Sequence, residues 1–172
     1  MHEIKKEHAL SLREKKVLIE LLKNCKESDR TLARKLKTSQ ATITRTRNNL
    51  YEKGFIHGFT ISPGLNKLGL QLTVFTFLKM NFNIQNNGNY LILKEEPRII
   101  FASEGEGLAG KTHVLVSVHD TFPDFQEFIK KIRIKLGKNI IELTSFFVSN
   151  NNCLKQISFN NAIENKLFAK EL

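Results

Sequence analysis

Over the first sixty positions the apolar residues recur three and four apart; beyond position 70 they gather into strand-like runs separated by asparagine, glycine and proline. Val17, Leu18, Leu21 and Leu22 make the first helical stripe, flanked by Lys15, Lys16, Glu20 and Lys23. Ser11 with Glu14 three residues on has the pattern of a capping box, so a helix is predicted to start there and to end where 24–27 turn polar. A short second helix, capped by Ser28 or Asp29, buries Leu32, Ala33 and Leu36 and turns Arg30, Arg34 and Lys35 outward. Lys37 and Thr38 make the turn. Ser39 caps a third helix that runs to about Lys53 and is stopped by Gly54. With Ile43 and Leu50 facing inward, Ala41, Arg45, Asn48 and Glu52 lie opposite, flanked by Thr42 and Thr44. Residues 55–61 alternate apolar and polar around His57 and Gly58, which predicts a short two-stranded wing.

The second half follows a different rhythm. Pro63, Gly64 and Gly69 bracket a linker, after which 72–80 is a β-rich run. An Asn-rich loop over 81–88, a short helix over 90–96 ended by Pro97, and a strand over 99–104 follow. Residues 113–119 place Val114, Val116 and Val118 on one face of a third strand. Phe125, Phe128, Ile129, Ile132 and Leu136 then mark an amphipathic helix over 124–136, and 140–148 is a fourth strand. The order strand, helix, two strands, helix, strand predicts a ferredoxin-like βαββαβ sheet. The expected organisation is α+β: a winged helix-turn-helix over 1–61, a linker over 62–70, a ferredoxin-like domain over 71–150, and an extension over 151–172 with an amphipathic helix at 162–172.

Charge sharpens this picture. The chain carries 27 Lys+Arg against 17 Asp+Glu, net +10, with a pI near 9.7, which suits a polyanionic partner. Residues 1–64 hold 14 of those cations and 7 of the acids, so two thirds of the excess sits on the helical first third. The third helix is small, polar and cationic on its outer face, with side chains suited to base edges and phosphates. The expected DNA contacts are Arg34, Lys37, Thr38, Ser39, Gln40, Thr42, Thr44, Arg45, Arg47, Asn48, Lys53 and His57. A three-helix bundle with a solvated third helix is the bland alternative to this reading. The charged start and the lack of any apolar run of membrane-span length predict a cytoplasmic protein with no membrane partner. Cys25 and Cys153, far apart and in no CxxC pair, read as reduced thiols.

Residues 10–69 resemble the DNA-binding domain and linker of the Lrp/AsnC (feast/famine) transcription regulators. The resemblance rests on Val17, Leu18 and Leu21, on Leu32 and Ala33, on Ser39, Thr42, Ile43 and Leu50, on Gly54, Phe55 and Ile56, and on Gly58, Phe59, Leu68 and Gly69. Glu14 stands where the family usually has Asp, and Arg47 stands at a normally apolar position. Pro97, Arg98, Ile99 and Gly110 fall where the family's C-terminal effector and assembly domain tends to have them. The family's Gly-x-x-Asp before the third strand reads Gly110-Lys111-Thr112-His113 here. The resemblance implies a dimeric, sequence-specific regulator that binds double-stranded DNA, with an effector, if one binds, at Ser103, Glu104, Gly105, Gly110, Lys111, Thr112 and His113. The apolar residues on both faces of the strands likewise predict a homodimer or higher homo-oligomer formed through the helix-free sheet face.

Two rivals stand beside the regulator. One is a nucleoid-architectural protein of the same fold, separable by its specificity ratio. The other is a P-loop enzyme, because residues 105–112 (GEGLAGKT) match G-x-x-x-x-G-K-T. A phosphate loop needs a helix after its Lys-Thr, whereas 113–119 alternates as a strand. His113 and His119, six residues apart on one strand, lie roughly 20 Å apart and cannot share a metal within one chain. The spacing supports no Ser/His/Asp or Cys/His site, so no catalytic residue, metal or cofactor is expected.

Overall fold

The computed structural model describes residues 9–81, 87–155 and 157–168, with the backbone alone for 87–90. The chain forms two compact units, one from residues up to 61 together with those from 157 onward, the other from 62 to 156.

In the first unit, α1 (Leu12–Lys23) starts in the predicted capping box: Ser11 Oγ accepts from the Glu14 amide, and Glu14 Oε2 accepts from the Ser11 amide at 2.8 Å. Ser28 caps α2 (Asp29–Lys35) and Ser39 caps α3 (Gln40–Glu52) in the same way, each accepting from the amide three residues on. Val17, Leu18 and Leu21 of α1 meet Leu32 and Ala33 of α2 and Ile43 and Leu50 of α3 in one core, which Ile56 closes. α2 and α3 both end with the chain turned left-handed, at Lys37 (φ 51°) and Gly54 (φ 75°). Their 6→1 bonds run from the Thr38 amide to the Ala33 carbonyl and from the Phe55 amide to the Leu50 carbonyl.

The predicted two-stranded wing is not formed: residues 55–61 carry no strand. Seven residues give a hairpin too little chain to pair, and an isolated two-stranded ribbon is marginal in water. Ring contacts hold the segment instead. Phe59 meets Tyr51 edge-on at 5.6 Å, and the Arg47 guanidinium lies 5.9 Å from the Phe59 ring centre.

The second unit is a four-stranded antiparallel sheet in the order β2-β3-β1-β4, with β1 (Leu72–Met80), β2 (Ile99–Glu104), β3 (His113–His119) and β4 (Ile140–Ser149). α4 (Asn87–Glu95) joins β1 to β2, and α5 (Phe122–Leu136) joins β3 to β4, giving the ferredoxin-like split βαβ. Strand alternation puts Val74, Leu78, Met80 and Leu115 on the face packed against Leu93 of α4 and Phe125, Phe128, Ile132 and Leu136 of α5. The other face presents Phe75, Phe77, Val114, Val116, Phe101 and Phe146; the last two are more than half exposed. Most of the Asn-rich loop predicted at 81–88 lies outside the described residues.

Beyond β4 the chain returns to the first unit as α6 (Asn160–Phe168). Leu167 packs against the helical core, Lys15 Nζ donates to the Leu167 carbonyl at 3.0 Å, and Lys23 pairs with Glu164 at 3.3 Å. The C-terminal segment is therefore part of the helix-turn-helix unit.

Candidate nucleic-acid interface

The buried residues of α3 are Ile43, Thr46 and Leu50, and they fix which face points away. Ser39, Gln40, Thr44, Arg45 and Asn48 are exposed on that outer face, while Thr42 is half-buried. Thr46, polar yet buried, donates its hydroxyl to the Thr42 carbonyl at 2.8 Å, so it lies in the core without an unmade bond. Arg34, Lys37 and His57 are exposed, and Thr38 is half-buried. These residues form a cationic, hydroxyl- and amide-rich surface whose donors suit phosphates and base edges.

Two of the expected cationic DNA contacts form ion pairs inside the unit. Arg47 Nη2 pairs with Asp29 Oδ1 at 2.6 Å and donates to the Glu27 carbonyl at 3.2 Å, joining α3 to the start of α2. Asp29 also accepts from the Thr44 hydroxyl at 2.6 Å. Lys53 Nζ pairs with Glu14 Oε1 at 2.6 Å. That bond, with the Ser11 amide next and against the cost of burial, holds the Glu14 carboxyl down at about 2. Helix spacing already puts Arg47, four residues from Ile43 and three from Leu50, on the inward side of α3; the acids it and Lys53 meet, Asp29 and Glu14, are brought close only by the fold.

The fold also adds residues that helix spacing does not single out. A polar groove of about 300 Å³ runs beside α3, lined by Ser11, Arg13, Glu14, Thr42, Arg45, Thr46 and Asn49. Arg13 and Arg45 are both exposed at it, which puts a second arginine beside α3. An arginine in the first turn of α1 gives no sequence signal of this placement, because helix packing alone decides it.

In the sheet unit, the residues expected around an effector divide into two sets. Ser103, Glu104, Gly105 and Gly110 are exposed, with Gly110 in the left-handed region at φ 76°. Lys111, Thr112 and His113 are buried. Lys111 Nζ pairs with Glu142 at 2.6 Å, and the Thr112 hydroxyl lies between the Met80 amide, the Leu78 carbonyl and His113 Nδ1. Burial, opposed by the Glu104 charge, pushes His113 below its usual range. β3 begins directly after Thr112, so the GEGLAGKT stretch lacks the helix that a phosphate loop requires.

One constellation that sequence spacing does not suggest is a buried hydrogen-bonded row. His119 Nε2 lies 2.9 Å from Ser117 Oγ, His119 Nδ1 lies 3.1 Å from Asp124 Oδ2, and Arg98 pairs with Asp124 at 2.6 Å. The row has the residue types of a nucleophilic triad. Ser117 and His119 are fully buried, His119 against Phe125 and Phe128, and no substrate could reach the hydroxyl. It is a satisfied polar network in the core.

The two units thus define a helix-turn-helix protein carrying a separate ferredoxin-like domain. Their fold is that of the AsnC/Lrp family of transcription regulators. The chain superimposes on Escherichia coli AsnC with a TM-score of 0.73 at 17% identity, covering 87% of this chain and 99% of that one. A Neisseria meningitidis transcriptional regulator solved as an L-Met complex matches at 0.76 and 14% identity, over 90% and 99% of the two chains. Bacillus subtilis LrpC matches at 0.70 and 20% identity, over 87% and 98%. In sequence, 66 residues are 36% identical to an uncharacterized HTH-type transcriptional regulator of Pyrococcus furiosus, spanning 38% of this chain and 44% of that protein. A Pyrococcus horikoshii counterpart is 35% identical over the same length. The match therefore spans less than half the length of these relatives. No protein-family profile matches the chain. Among the described residues, no helix is long and apolar enough to cross a membrane.

Proposed function

We propose that the chain is a cytoplasmic, sequence-specific DNA-binding transcription regulator that acts as a homodimer, with α3 lying in the major groove. The observation that carries this reading is the division of α3: Ile43, Thr46 and Leu50 are locked in the core, while Gln40, Thr44, Arg45 and Asn48 are left outside. Arg45 makes no ion pair among the described residues, and its guanidinium is free to bond a guanine with two prongs. Arg34, Lys37 and His57, exposed around the helix, contact phosphate, and Arg13 joins them from across the groove. Arg47 and Lys53 position the helix instead.

The dimer forms through the helix-free sheet face, where exposed Phe101 and Phe146 stand beside Phe75 and Phe77. A small-molecule effector, by analogy with the Neisseria protein solved with L-Met, would meet the exposed part of the 103–110 loop.

Genome-wide mapping of bound DNA, followed by titration of operator and random duplexes, tests the reading. Arg45→Ala is expected to cost about 1–3 kcal/mol on operator and much less on random sequence. Equal losses on both would replace the regulator with the architectural rival.

A further inference from the structure

The sheet unit has its own charge anomaly. Residues 62–156 carry eleven Lys+Arg and eight Asp+Glu, yet five of those cations and none of the acids fall within 128–138. Counting Asp124 and Glu127, α5 and the 3-10 turn after it (Gly137–Asn139) carry five cations against two acids, and the rest of the unit six against six, so its whole positive excess sits there. A merely solvated surface interleaves the two signs.

α5 and the turn after it leave these cations exposed. Phe125, Phe128, Ile132 and Leu136 bury one side, and Lys130, Lys131, Arg133, Lys135 and Lys138 are all exposed. Lys131 pairs with Glu127 at 2.9 Å and Lys135 reaches Glu96 at 3.8 Å. Lys130, Arg133 and Lys138 form no ion pair among the described residues. The helix dipole accounts for cations in the last turn, but Lys130 and Lys131 precede that turn, where its effect has faded.

We infer that the outer face of α5 is a second, sequence-independent contact for duplex DNA, binding the phosphate backbone. The inference rests on the DNA-binding reading of α3 and extends it to a unit that carries no reading helix. From Lys130 to Lys138 the face runs about 12 Å at 1.5 Å per residue, and one strand of a duplex presents about three phosphates over that length. Three unpaired cations spread over that length therefore meet several phosphates at once. A bilayer is a poor fit, because the apolar side of α5 is committed to the core and cannot roll into lipid. An acidic protein is a weaker fit, because it would need an apolar centre, and Ile134 is the one exposed large apolar residue between these cations.

The test uses the full chain and a random-sequence duplex of about 60 base pairs, with affinity measured across a salt series. The variant Lys130→Gln/Arg133→Gln/Lys138→Gln is expected to reduce the slope of log K against log salt by about 1 to 3, since each phosphate left unneutralised removes about 0.9. Lys67→Gln/Lys94→Gln/Lys155→Gln, three exposed cations elsewhere on the same unit, removes equal charge and is expected to leave the slope unchanged. Equal effects of the two variants would reduce the α5 face to a net-charge effect and overturn the proposal. An unchanged slope in the α5 variant, while Lys37→Ala still lowers it, overturns the α5 site and leaves the α3 reading standing. If the unmodified chain binds no duplex, the α3 reading falls first. Loss of binding to poly-glutamate without a change in duplex slope would assign the face to an acidic protein and also overturn the proposal.

Discussion

Lys53 at the end of α3 and Glu14 in the first turn of α1 are bonded at 2.6 Å, although 39 residues separate them in sequence. The same carboxylate closes the α1 capping box, so one side chain fixes both the start of α1 and the far end of α3.

Glu14 therefore makes the first unit sensitive to acid. Its carboxyl lies at about 2 in the folded state, against an ordinary 4.5. A depressed carboxylate stabilises the fold fully above the unfolded value and loses that contribution as pH falls from 4.5 through about 2. Glu14→Gln should cost about 1–3 kcal/mol at neutral pH and flatten the loss of thermal stability over that acid window. Melting curves from pH 6 to pH 2 on both proteins provide the check.

Lys37 holds a left-handed conformation, φ 51°, that glycine adopts without penalty. Lys37→Gly is expected to hold or raise stability, by up to about 1 kcal/mol, while weakening operator and random DNA alike. Lys37→Ala should weaken DNA binding to the same extent with no gain in stability. Denaturant titration beside binding assays separates the two effects.

α6 packs Leu167 on the helical core and bonds Lys15 and Lys23, so removing 157–172 should destabilise the helix-turn-helix unit rather than the sheet. A point change, Leu167→Ala, should cost about 1–3 kcal/mol, less than a fully buried leucine because Leu167 is only partly covered. Amide exchange resolved by unit would show faster opening in α1 to α3; faster exchange confined to the strands would contradict the packing.

His119 is fully buried, and desolvation, opposed mainly by Asp124, pushes it below its ordinary 6.5. The unfolded chain then binds the proton more readily than the folded one, so stability declines as pH falls below 6.5 toward the folded value. His113 shifts in the same direction. Asp124, Arg98 and Asp120 are the charged groups that act on His119. His119→Gln should be less stable at pH 8 and show a shallower decline between pH 7 and pH 5.5, read by chemical denaturation.

The assembly proposal has a direct check on the open sheet face. Phe101→Asp with Phe146→Asp places charge on two exposed positions that contribute little to the core. Sedimentation should shift from dimer to monomer at micromolar concentration with the fold retained. A chain already monomeric before substitution would refute the interface.

Local chemistry makes much of this protein legible in its sequence. Ser11, Ser28 and Ser39 cap three helices because each side chain reaches an amide only three residues away. The four strands and the helix α5 follow from alternation and from the 3.6-residue period, which are also short-range signals. The inward set of α3, Ile43 and Leu50, is readable for the same reason, and with it the outward position of Arg45. The wing is not, because alternation alone does not supply a strand partner; residues 55–61 have none and are held by Phe59 against Tyr51 and Arg47. Only the tertiary structure decides that Arg47 meets Asp29 and Lys53 meets Glu14, that Arg13 joins the groove beside α3, and that α6 returns to α1. Each depends on which distant residue packing brings within a few ångströms, and side-chain period and cap chemistry carry no information at that range.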